Sequence, residues 1–390
     1  MTMYTGTERE WSDWRWQERN SLRSSAKIRE VFPQFPEEER QQVAEYERTR
    51  RWGITPYTLS LMEKDELGNP HPKDPLVMQT FPVRGFRLDG ARDSYGAGKP
   101  VNWELPEEMP TPILQHKYTN KVILRMPSAC LAYCGYCFEV ERTEDKESGR
   151  ESSVTSQVWQ DSLRYVREHP EVMEVIFSGG DLLLLENSTL EERIADVRAI
   201  LNVRAVRVHT RALTFNPFRI DDKLVDVLRV HRVTELGLHF SHPNELTADV
   251  KEALERFNER GYGSILKMAQ IPLLKGVNDD VAVLEELFMK LYAEFQIKPY
   301  YLYHGLPWSP AASQFRTSVR RGVQLMNRMK HRIPSVALPV FAIAHHKGKH
   351  IVPLEEEGTP EFKYEKDEAE NPIIRFKNWK GDWEVYLDRE

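Results

Sequence analysis

The chain has 390 residues and a mass of 45.7 kDa, room for one large domain or two to three ordinary ones. It is 40% hydrophobic and 29% charged, enough to bury a sizeable core, and 54 Lys+Arg against 60 Asp+Glu leave a net charge of -6 with no chain-wide basic footprint for nucleic acid. Mean hydropathy is -0.57, no run of about 18 apolar residues occurs, and the polar, Trp-rich N-terminus has no apolar h-region; a cytoplasmic protein with no membrane span or secretory signal is expected.

No internal repeat or low-complexity tract breaks the chain. Residues 1–115 form an N-terminal helical and wrapping segment. Trp11, Trp14 and Trp16 read as packing or subunit contacts, residues 37–51 as a helix, and the Pro- and Gly-rich stretch 63–116 as extended chain, the wrapping segment serving as a lid or a clasp on a neighbouring chain. From Lys121 short apolar runs alternate with amphipathic helices. Strands are predicted at 121–125, 174–177, 205–208, 235–240, 264–271, 298–303 and 338–344. Helices are predicted at 156–168, 190–201 (capped by Ser188 or Thr189), 221–230, 247–260, 280–295 and 317–331. Six βα units and an extra strand predict an α/β protein with a partial parallel (β/α)6 barrel over 116–345 and a short C-terminal segment over 346–390. Chemistry in such barrels sits at the C-terminal ends of the strands. The cysteine loop, Ser178-Gly179-Gly180-Asp181, Thr210-Arg211, His239, Gln270 and the basic run His345-His346-Lys347-Gly348-Lys349 all fall there.

The chain has three cysteines, Cys130, Cys134 and Cys137, within eight residues. An odd number cannot form a full disulfide set. Three thiolates on one short loop can hold three irons of a [4Fe–4S] cluster and leave the fourth for a substrate or cofactor. The alternatives are a zinc site, with His116 as the nearest fourth ligand, or plain buried cysteines.

The three-residue, then two-residue spacing resembles the radical S-adenosylmethionine (SAM) enzymes. That resemblance implies that Tyr136 packs on adenine and that the glycines of Ser178-Gly179-Gly180-Asp181 let the backbone approach the methionyl amine. Longer blocks are similar to the lysine 2,3-aminomutase family: Trp11–Gln17, Ile54–Tyr57, Phe177–Asp181, His239–Glu245, Leu273–Asp279 and Lys298–Tyr303. The resemblance implies a [4Fe–4S] cluster, SAM and pyridoxal 5′-phosphate (PLP), and migration of an amino group between adjacent carbons. It also implies a flavodoxin- or ferredoxin-type electron donor, a small amino-acid-like substrate and a homo-oligomer. It places PLP on Lys349, with Lys347 as fallback, and its phosphate near Lys117 and Lys121; a solvated basic turn is the alternative for 345–350. SAM contacts are implied at Thr210, His239 and Gln270, with packing as the other reading for His239 and His242. Arg211 reads equally as an anion contact or a surface pair.

The departures bear on the substrate. Where the family has an arginine for the substrate carboxylate, this chain has Glu139; where lysine-specific members have two aspartates for the distal ammonium, it has Leu306 and Ala344. Free L-lysine is therefore not the expected substrate. Glu139 or Glu141 is a candidate for an amine or guanidinium, and Arg142 for the carboxylate. The other expectations are a radical SAM enzyme of different chemistry, such as another rearrangement, elimination or decarboxylation with or without PLP, and a non-catalytic metal-binding scaffold.

Overall fold

The computed structural model describes residues 6–85, 105–137, 139–143, 154–259, 265–306 and 311–388. They group into two compact units. One holds the described residues of Met1–Arg87, Met109–Leu238 and Asn244–Leu266; the other holds those of Leu88–Glu108, His239–Pro243 and Lys267–Glu390.

In the first unit the strands are β1 (Leu114–Tyr118), β2 (Lys121–Arg125), β3 (Glu174–Ser178), β4 (Ala205–Thr210) and β5 (Glu235–Leu238), side by side in that order. The hairpin β1–β2 is antiparallel; β2 to β5 are parallel. Parallel strands covered on both faces read as near-continuous apolar runs, and Val175, Ile176, Phe177, Val206, Val208, Leu236 and Leu238 are all buried. The register sets Leu124 beside Phe177 and Arg125 beside Ser178, then Phe177 beside Val208. The C-terminal ends of β2, β3 and β4 therefore share one edge.

The helices follow their apolar stripes. The helix α1 (Glu37–Thr49) lies in the N-terminal segment, as does α2 (Pro75–Thr80), whose start Asp74 caps. Helix α3 (Ser156–Glu168) buries Trp159, Ser162, Leu163 and Val166, an i, i+3, i+4, i+7 face, and Thr155 caps it by accepting from the Val158 amide. Each large apolar side chain so buried is worth about 1.5–3 kcal/mol. Helix α4 (Asn187–Arg198) begins three residues earlier than expected. Its N-cap is Glu186, with no side-chain capping bond, so the Ser188 or Thr189 cap is corrected: both lie inside the first turn. Helices α5 (Asp222–Val230) and α6 (Ala248–Glu259) complete this unit.

In the second unit β6 (Leu266–Leu273), β7 (Lys298–His304) and β8 (Val340–His345) are parallel neighbours, with α7 (Val281–Met289) and α8 (Val319–Met329) between them in sequence. Beyond β8 the chain turns back through β9 (Gly348–Ile351), antiparallel to β8. A separate antiparallel sheet follows: β10 (Phe362–Lys366), β11 (Pro372–Lys377) and β12 (Trp383–Leu387). The strands expected from sequence are found within a few residues. Strands β1 and β9 to β12 were not foreseen. No helix among the described residues is long and apolar enough to cross a membrane.

Candidate active site

Strand β2 delivers the chain straight into the cysteine loop. Cys134 is buried, Cys130 and Cys137 half-buried. The Cys137 amide donates to the Cys134 carbonyl at 2.9 Å, and the Ala132 amide reaches Cys130 Sγ at 3.4 Å. Burial, with the nearby charges of Asp181 and Cys134, pushes the Cys130 thiol up to about 12. Bare, it stays protonated; a bound metal ion displaces that proton.

The glycine turn after β3 is packed against the start of this loop. The Gly180 amide donates to the Pro127 carbonyl at 2.7 Å and the Asp181 amide to the Ala129 carbonyl at 3.0 Å. Gly179 has φ +124°, and a Cβ there falls 2.7 Å from the Met126 nitrogen; one on Gly180 falls 2.0 Å from the Ala129 carbonyl oxygen. Only glycine fits either position. The Asp181 carboxylate is spent internally: it accepts from Thr210 Oγ1 (2.8 Å), the Arg211 amide (2.8 Å) and the Leu183 amide (3.0 Å). Burial raises its pKa and those donors pull it back. Asp181 and Thr210 thus clamp the end of β3 to the end of β4.

Arg211 follows β4 and is buried, not a surface residue. It donates to Cys134 Sγ at 2.5 Å, to Gln79 Oε1 at 2.6 Å and to Glu245 Oε1 at 3.2 Å. The Tyr136 hydroxyl also donates to Gln79 Oε1, at 3.1 Å, and the Gly135 amide to the Gln79 carbonyl, at 2.9 Å. Gln79 Nε2 in turn donates to Glu245 Oε1 at 3.0 Å. So α2, from the N-terminal segment, grips the cysteine loop. Gln79 and Glu245 were missed. Glu245 lies in a block noted for its resemblance, but nothing in the proline-rich stretch around Gln79 signals it.

Glu139 does not stand alone as a charge. Its Oε1 accepts from Arg125 Nε at 2.6 Å and its Oε2 lies 3.9 Å from Arg142 Nε; the three side chains are 4%, 1% and 13% exposed. Arg125 also donates to Gln115 Oε1, and Arg142 to the Pro112 carbonyl at 2.6 Å. Two guanidinia and one carboxylate leave this cluster at +1. The expectation that Glu139 meets an amine or guanidinium is answered from within the chain, by Arg125. Glu141's side chain lies outside the described ones.

His116, the alternative zinc ligand, is engaged elsewhere. Its Nδ1 contacts the Tyr165 hydroxyl at 2.8 Å and its Nε2 the Thr119 carbonyl at 3.3 Å. Lys117 is on β1 and Lys121 opens β2, with its Nζ 5.1 Å from the Tyr118 ring centre. They stand at the opposite end of β2 from the cysteine loop, about 13 Å along the strand at 3.3 Å per residue.

In the second unit His239 is half-buried, and Gln270 is a buried residue of β6. Lys349 pairs with Ala344 across the β8–β9 hairpin; its side chain is half-buried with Nζ 3.6 Å from the Tyr301 ring centre. Lys347, in the turn, is exposed.

The thiol loop at the end of β2, locked by the glycine turn after β3, brings together the two motifs that carry the resemblance to radical SAM enzymes. Comparison with known proteins narrows this. No family model matches the chain. The L-lysine 2,3-aminomutase of Clostridium subterminale is 31% identical over 338 residues, covering 86% of this chain and 76% of that protein. The glutamate 2,3-aminomutase of Clostridioides difficile is 26% identical over 98% of this chain and 84% of its own length. Among solved structures, coproporphyrinogen III oxidase (HemN) of Escherichia coli, a radical SAM enzyme, overlaps 55% of this chain and 52% of its own at 13% identity, with a TM-score of 0.36. The chain belongs to the lysine 2,3-aminomutase family, and its fold is α/β with runs of parallel strands, as expected. It is an isomerase of that family, acting on a small-molecule substrate.

Proposed function

We propose that this protein is a radical SAM aminomutase that moves an amino group between adjacent carbons of an amino acid other than free L-lysine. The observation that carries the reading is the Arg125–Glu139–Arg142 cluster. A glutamate stands where the family has its carboxylate-holding arginine, yet two guanidinia leave the position net positive. The substrate's carboxylate binds through Arg142, the more accessible of the two, with Glu139 orienting it. Leu306 and Ala344 offer no charge to a distal ammonium.

The residues present suit the cofactors. Cys130, Cys134 and Cys137 would hold the cluster; in the first unit Tyr136, Ser178 to Asp181 and Thr210 are proposed SAM residues, and in the second His239 and Gln270 are proposed SAM residues and Lys349 the proposed PLP lysine, while Lys117 and Lys121, at the end of β2 away from the cysteine loop, are left out of the phosphate site. When bound, the cluster and SAM supply hydrogen-abstracting chemistry and PLP supplies the handle for the migrating nitrogen. The chain's own part is to hold and to exclude. Arg211 steadies the Cys134 sulfur, Gly179 and Gly180 keep the loop's backbone in place, and Gln79 closes the N-terminal segment over the loop against water. A flavodoxin- or ferredoxin-type donor and a homo-oligomeric state complete the proposal.

The test is anaerobic assay with reductant, SAM and PLP against a panel of α-amino acids. Turnover of another amino acid, with lysine at least about tenfold slower, supports the reading; a tenfold difference is about 1.4 kcal/mol of discrimination. β-Lysine formed as fast as any other product overturns it.

A further inference from the structure

The second unit holds a group of side chains that none of this chemistry uses. His345 ends β8, His346 begins the turn to β9, and Glu384 is on β12. One ligand atom from each lies within 4.8 Å of the other two. We propose that His345, His346 and Glu384 bind a zinc ion, and that the ion pins the β8–β9 hairpin to the C-terminal sheet.

Two imidazoles and a carboxylate are a zinc donor set, and three protein ligands leave a fourth position for water. Nitrogen donors disfavour magnesium and calcium, which take oxygen. The framework is firm. His345 is 1% exposed, its ring 4.1 Å from that of His346 and 5.4 Å, edge-on, from that of Phe376. Phe376 is the β11 partner of Glu384 in the sheet register. Asn378 Nδ2 donates to Glu384 Oε1 at 2.9 Å, fixing the carboxylate, and Trp379 Nε1 donates to the Lys347 carbonyl at 3.2 Å. The turn at His346 lets consecutive histidines serve one ion. A tetrahedral zinc at about 2.0–2.1 Å from each donor draws the ligand atoms to roughly 3.3 Å apart. The half-buried His346 and Glu384 side chains supply that contraction by small rotations, the carboxylate pivoting about its bond from Asn378. The Lys347 amide reaches His345 Nδ1 at 3.2 Å. Ligation through Nε2 moves the ring proton to Nδ1 and gives up that long contact.

The measurement is zinc and iron content of the holoenzyme, purified anaerobically, exposed to equimolar zinc and desalted. About one zinc per chain is expected beside the cluster iron. His346→Ala and Glu384→Gln should lower zinc to under about a tenth with iron unchanged, and Cys130→Ala should do the reverse. Asn378→Ala keeps all three ligands and should weaken zinc binding by roughly 10–100-fold, so the result does not hang on variants that misfold. Wild-type protein that retains no zinc overturns the proposal. So does zinc that survives Glu384→Gln and disappears with Cys130→Ala, since it then sits in the cysteine loop.

Discussion

Glu139 shows how far one buried charge differs from an exposed one. Removing it leaves Arg125, 1% exposed on its side chain, without its carboxylate, and an uncompensated buried charge costs about 3–5 kcal/mol. The exposed Arg15–Glu186 pair, at 45% and 53%, is worth under about 1 kcal/mol. Glu139→Ala should therefore lower the unfolding midpoint sharply and Glu186→Ala barely move it; equal effects in urea denaturation would contradict the geometry. Gly180 is a second such residue. A methyl 2.0 Å from the Ala129 carbonyl forces the backbone to move, a strain of about 1–3 kcal/mol focused on the cysteine loop. Gly180→Ala should lose most of its iron by metal analysis, whereas Ser178→Ala should keep it; full iron in Gly180→Ala would show that the loop position is not critical.

At the scale of elements, strands are stitched by buried polar side chains as much as by ladders. His304 ends β7, and its Nδ1 meets the Tyr386 hydroxyl of β12 at 2.7 Å while its Nε2 meets the Thr317 carbonyl at 2.7 Å. Burial, with the Arg316 charge beside it, lowers the His304 pKa to about 3. The ordinary value near 6.5 applies in the unfolded chain. The unfolded state thus binds the proton more readily, and the stability His304 provides is present above about pH 6.5 and is lost as pH falls towards 3. Between pH 7.5 and 5.5 the wild type should lose about 1.4 kcal/mol more than His304→Phe in urea unfolding; parallel pH profiles would refute this. None of this stitching was legible beforehand. The βα repeat was, because parallel strands must be apolar on both faces and their helices striped, and Trp159, Leu163 and Val166 obey that rule. Strands β10 to β12 escaped because their burial is one-sided and mixed with charge, as in Phe362–Lys366. At the site, cysteine spacing and the glycine pair announce themselves locally. Gln79, Glu245 and Arg125 act through partners 132, 34 and 14 residues away along the chain, and no local pattern records such a meeting.

For the molecule as a whole, the two compact units divide the proposed cofactor residues between them. The cysteines, the glycine turn and Arg211 belong to the first; Lys349 and the hairpin that carries it belong to the second. The supports of each are local to its own unit: Gly180 and Asp181 on the cysteine loop, Ala344 and the Tyr301 ring beside Lys349. Sites without shared partners behave additively, so loading of the two should be separable. Borohydride reduction of the PLP-loaded protein and peptide mapping should place the label on half-buried Lys349 and not on exposed Lys347. Lys349→Ala should abolish the label and keep full cluster iron. Cys134→Ala should lose iron and keep the label, although its contact with Arg211 goes with it. A label on Lys347 would shift the site by two residues in the same turn. Loss of both cofactors from either variant would show that the units load as one, and absence of any labelled lysine would remove PLP, and with it the aminomutase reading, from this chain.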